Sequence, residues 1–126
     1  MPANLTPNVP LLRKTLEHIT AHPEEWDQTV WMRNNAETAC GTAGCLAGTA
    51  LAIQGYEFEY GNLYSNQAHH IAGGDRVFIG EVAAKELGLD EFQAEELFDS
   101  VNSLRDLWAL ANEITDGEIE IPAQFR

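Results

Sequence analysis

With 126 residues, 44% of them hydrophobic and including three Trp and five Phe, the chain can bury one core, which excludes bulk disorder and predicts one compact domain over 1–126 with tails at 1–6 and 117–126. Twenty acids against seven Lys and Arg give a formal charge of −13, the wrong sign for a direct grip on a nucleic-acid backbone. The longest weakly polar run, residues 40–53, is shorter than the roughly 20 apolar residues of a bilayer span, so no membrane partner is expected.

The N-terminal "MPANLTPNVPLLRK" has no basic region ahead of an apolar one, so it does not read as a signal peptide and a cytoplasmic location is expected. The first helix is predicted to start at Thr6-Pro7, with Thr6 or Asn8 as cap, and to carry Val9, Leu12, Leu16 and Ile19 on its inner face. It stops at His22-Pro23, because proline disfavours helical backbone in the residue before it. From 24 to 39 no period holds, and Trp26, Val30 and Trp31 read as anchors to the core; of the three tryptophans, two are expected to be buried. A second helix is predicted over 43–54, ended by Gly55. "YEFEYGNLYSN" alternates aromatic and acidic residues as a strand does, and Gly61-Asn62 is placed to turn it into a hairpin. Gly73-Gly74-Asp75 reads as a turn and 76–79 as a short strand. A helix over 81–87 ends at Gly88, and Asp90 caps another over 91–99 whose Phe92, Leu97 and Phe98 should face inward. Ser103 with Asp106 resembles a capping box for a last helix to Ile114, with Leu104, Leu107, Trp108, Ala111 and Ile114 as its core stripe. The predicted fold class is mainly α (α+β), about five helices packed around a small two- or three-stranded sheet.

The order "LLRKTLEHITAHPEEWDQ…W", "CGTAGCLAGTA", "VAAKELGLDEFQAEELF" resembles small uncharacterised proteins of actinobacteriophages and their hosts, over about residues 11–114 and most specifically over 40–48. The resemblance brings no activity with it. It implies a phage-type accessory protein, of a kind that binds a host protein and modulates it.

The segment "CGTAGCLAGTALAIQG" admits four chemistries. A thiol at a helix N-terminus is stabilised as thiolate, and a cysteine hydrolase would use Cys45 with His69 or His70 as base and Asp75 as its orienter. The spacing departs from papain-like proteases, since no Trp follows the cysteine and the histidines lie close downstream. An anion or nucleotide site would use the N–H groups of Gly41, Thr42, Ala43 and Gly44, with Arg33 and Arg76 as cationic partners. No P-loop lysine and no GxGxxG accompany them, so no cofactor is expected. Cys40 and Cys45 are spaced too widely for a zinc knuckle, and His18 and His22, at i and i+4, lack the glutamate position of HExxH, so no metal is expected either. The fourth reading is packing: Gly44 and Gly48, four apart, let another backbone approach the helix closely.

Residues 81–120 hold 12 acids and only Lys85 and Arg105 as bases. Glu91, Glu95, Glu96 and Asp99 share one helix, with 91/95 and 95/99 as like-charge neighbours at i,i+4 that cost the helix a few tenths of a kcal/mol. A basic protein partner would give that charge a use. The leading expectation is therefore non-catalytic binding of a host protein through the acidic hairpin at 90–113 or the aromatic strand at 56–64, as monomer or homodimer.

Overall fold

A computed structural model of the protein describes residues 6–34, 42–59, 64–65, 67–70 and 77–126. The described chain is mainly helical, with five α-helices: α1 (Val9–Ala21), α2 (Leu46–Ala52), α3 (Ile79–Glu86), α4 (Glu91–Phe98) and α5 (Leu104–Ile114).

Local chemistry fixes most of the helix ends. Asn8 caps α1 by accepting from the Leu11 N–H, and His22 closes it ahead of a 3-10 turn at Pro23–Glu25. Two capping boxes, Asp90 with Gln93 and Ser103 with Asp106, start α4 and α5. Gly88 sits at φ +70°, and a Cβ there would stand 2.1 Å from the Thr6 carbonyl, so both backbone angle and space require glycine. This close approach lets the Asn8 N–H donate to the Leu87 carbonyl, which fastens the start of α1 to the end of α3.

The main core draws Leu12, Leu16 and Ile19 from α1, Leu46 and Ala50 from α2, Ala94 and Leu97 from α4, and Leu107, Trp108 and Ala111 from α5, closed by Leu87, Leu89 and Ile119. A smaller core joins Met32 to Cys45, Ala47, Leu51, Ile79 and Ala83. Among the described residues, six short strands flank these helices: β1 (Met32–Asn34), β2 (Thr42–Gly44), β3 (Tyr56–Glu59), β4 (Tyr64–Ser65), β5 (Gln67–His70) and β6 (Val77–Phe78). They pair antiparallel in two separate ladders, β2-β1-β4 and β3-β5-β6. Helices packed around one small central sheet is therefore not the arrangement. The strands are two to four residues long, and the main core holds no strand residue among those described.

Other expectations also change. The C-terminal ten residues are not a tail: Ile119 is buried, Ile121 and Phe125 pack on the core, and Arg105 donates to the Phe125 and Arg126 carbonyls. Phe92 is 67% exposed rather than inward, because α4 buries the face of Ala94 and Leu97. Of the tryptophans only Trp108 is fully buried; Trp26 is half-buried and Trp31 is 37% exposed. β3 pairs with β5, Tyr56 opposite His70, and not with the strand that immediately follows it. The turns expected at Gly61-Asn62 and Gly73-Gly74-Asp75 lie outside the described residues.

Candidate functional site

The cysteine segment is built differently from the glycine-rich helix mouth that its sequence suggests. Thr42, Ala43 and Gly44 form β2, in register with Asn34, Arg33 and Met32, and α2 begins only at Leu46 with Cys45 as its N-cap. Protein groups already occupy this end. The Cys45 N–H donates to the Val30 carbonyl, the Leu46 N–H donates to Gln28 Oε1, and the Gly44 carbonyl accepts from the Asp27 N–H. The Cys45 and Leu46 N–H groups are thus engaged inside the fold, and Thr42, Ala43 and Gly44, which the anion reading placed at a helix start, belong to a strand. Gly41 and Arg76, the outer members of that set, lie outside the described residues.

Cys45 is 1% exposed and its thiol is pushed up to about 11. Burial is the largest cause; it outweighs the Gly48 and Ala47 N–H groups, which favour the thiolate. A thiol protonated at neutral pH and closed to solvent is a poor nucleophile, which weighs against the hydrolase reading at its first residue. Its proposed bases His69 and His70 belong to β5, in register with Glu57 and Tyr56 of β3, and Asp75 lies outside the described residues.

Packing accounts for the glycines. A Cβ at Gly48 would meet the Trp31 carbonyl at 1.9 Å and one at Gly44 would meet it at 2.4 Å, with Met32 Cε at 3.0 and 2.9 Å. The backbone at 31–32 thus runs in contact with α2. Gln28, 6% exposed, holds this junction with all its polar atoms engaged. Its Nε2 donates to the Leu97 and Asp99 carbonyls at the end of α4, and its Oε1 accepts from Trp26 Nε1 and from Leu46 N–H at the start of α2.

Because the backbone at residue 31 is pressed against α2, the Trp31 indole is directed over α3 and α4. There it meets the Phe98 ring edge-on at 6.0 Å and rests on Gly80, where a Cβ would stand 2.9 Å from the ring. A groove of about 500 Å³ opens beside it, floored by Trp31, Gly80, Ala84, Ala94 and Phe98 and rimmed by Glu81, Glu91, Glu95 and Asp99. Phe78, 49% exposed, borders a second hollow that shares Trp31, Gly80 and Glu81. Among the described residues, neither hollow is lined by a Lys or Arg. The last turn of α4 also carries no basic residue, so the negative end of its dipole adds to the field of Glu95 and Asp99.

Three of the four carboxylates expected at an interface, Glu91, Glu95 and Asp99, thus share one groove, and their i,i+4 spacing is what aligns them. Glu96 is exposed but does not line it. Sequence reasoning missed Glu81, which reaches the rim from α3, and it took Trp31 for a buried anchor. The one available signal was a tryptophan in an aperiodic segment. Among the described residues, no helix is long and apolar enough to cross a membrane. No protein family, curated protein or solved structure matches the chain.

Proposed function

We propose that the protein works by non-catalytic binding, seating a basic amphipathic segment of a host protein in the groove between α3 and α4. The observation that carries this reading is the pairing of an apolar floor, with a partly exposed Trp31 at its centre, and a rim of four carboxylates, with no basic residue among the described lining. Monomeric proteins seldom leave an aromatic floor of this kind open, and such patches mark interaction sites. A helix with Leu or Phe anchors would fill the floor while flanking Lys and Arg meet the rim, a helix-in-groove mode with electrostatic selection of the partner. The resemblance to phage accessory proteins supports a host protein as that partner.

Fluorescence anisotropy of a labelled Lys/Leu amphipathic peptide tests this. Binding should weaken steeply with salt, and Glu95→Lys with Asp99→Lys should reduce affinity by at least about tenfold, as reversal of close charge pairs does elsewhere. An acidic peptide of the same pattern should not bind. Affinity unchanged by the double reversal contradicts the reading.

A further inference from the structure

We propose that the end of α1 and the turn after it form a site for a divalent transition metal of the zinc type, with His22, Glu24 and Glu25 as ligands and His18 positioning Glu25. None of its residues lines the docking groove, and the proposal is independent of that reading. It begins with the spacing in "HITAHPEE". His18 and His22 stand one helical turn apart, and the His22 N–H still donates to the His18 carbonyl at 2.8 Å, so the two rings lie together with centroids 4.8 Å apart. Pro23 ends the helix there and starts the 3-10 turn, which folds both glutamates back onto the rings. The Glu25 N–H donates to the His22 carbonyl and the Trp26 N–H to the Pro23 carbonyl, fixing that turn.

The donor atoms converge. His18 Nε2 lies 2.9 Å from Glu25 Oε1; His22 Nδ1 lies 3.5 Å from Glu24 Oε2 and 4.0 Å from Glu25 Oε2. The ligand atoms of His22, Glu24 and Glu25 all lie within 4.8 Å of one another. Tetrahedral zinc with bonds of about 2.0–2.1 Å sets neighbouring donors about 3.3 Å apart, inside the range spanned here. Small side-chain rotations therefore bring the three donors to bonding distance without moving the backbone. Two carboxylates balance the charge of the ion. The imidazole of His22 favours zinc, copper or nickel over magnesium and calcium, which prefer oxygen donors alone. Glu25 is the preorganised member, its side chain 15% exposed and held by His18, whereas His22 and Glu24 are half exposed. The three protein donors form a clasp between the end of α1 and the segment leading to Trp26 and Gln28.

Isothermal titration of the metal-stripped full chain with zinc chloride tests the site. One ion should bind per chain and raise the Tm, with no heat from magnesium or calcium at millimolar concentration. His22→Ala and, separately, Glu24→Gln should each weaken zinc at least about tenfold. Both positions are half exposed, so circular dichroism should report an unchanged fold. Cys40→Ser and the pair His69→Ala with His70→Ala should leave the titration unaltered. Absence of zinc binding at millimolar concentration overturns the proposal, as does binding that survives both ligand variants or is lost with Cys40 or the His69-His70 pair.

Discussion

Cys45 shows how one residue type can look reactive in a sequence and be inert in a fold. Its neighbours are small and its position heads a helix, the setting that lowers a thiol pKa. Depth decides otherwise: Met32, Leu51 and Ile79 share its core, and the thiol is pushed up to about 11. Both folded and unfolded chains hold this proton below pH 9; above it the unfolded thiol ionises first, so stability falls as pH rises from 9 toward 11. The decline attributable to Cys45 should be on the order of 1 kcal/mol per pH unit in that window. Urea titrations at pH 8, 9 and 10 check it, and Cys45→Ala should flatten the curve. Iodoacetamide should reach Cys45 only on unfolding. Gln28 carries the complementary lesson. Nothing in "EEWDQTVW" marks it as a buried hub, because three of its four partners, Leu46, Leu97 and Asp99, lie in two other parts of the chain.

Among the elements, α1, α4 and α5 were legible because their signals are local: a cap, a capping box, an apolar stripe of period 3.6. The start of α2 was not. Thr42, Ala43 and Gly44 carry small-residue helix-mouth chemistry, yet they pair with Met32–Asn34, a non-local ladder that leaves no local signature. α3 begins at Ile79 without a side-chain cap, so its expected start fell two residues late. The ladders were only partly readable for the same reason, since β4 joins β1 and β5 joins β3 across the chain. What the spacing of Gly44 and Gly48 did reveal was close approach; the approaching backbone, residues 31–32, lay in the stretch without a period. Packing of α2 on that backbone makes Gly48→Ala a sharp test. A solvent-facing helical Gly→Ala should gain up to about 1 kcal/mol from propensity. Here the new methyl would meet a carbonyl at 1.9 Å, so a net loss of about 2 kcal/mol or more is expected in chemical denaturation. Increased stability would mean that α2 does not lie against Trp31.

For the molecule as a whole, the charge of −13 excluded a nucleic-acid grip but did not say which acids act together. The fold does so by laying α3 beside α4, bringing Glu81 to the rim shared by Glu91, Glu95 and Asp99 around Trp31 and Phe98. The same close contact of α2 with residues 31–32 that forbids a side chain at Gly48 is what presents the indole to the groove. The scaffold and the proposed docking surface are thus one arrangement. The measurement that tests this account most directly is an NMR titration of the full chain with the Lys/Leu peptide, following the three tryptophan indole N–H signals. Trp26 donates to Gln28 and Trp108 to Thr20, both within the fold, so their signals should hold still. The account expects the Trp31 indole to shift together with the amides of α3 and α4. A peptide that binds while Trp31 stays unmoved, or that shifts residues 56–59 in its place, would contradict it.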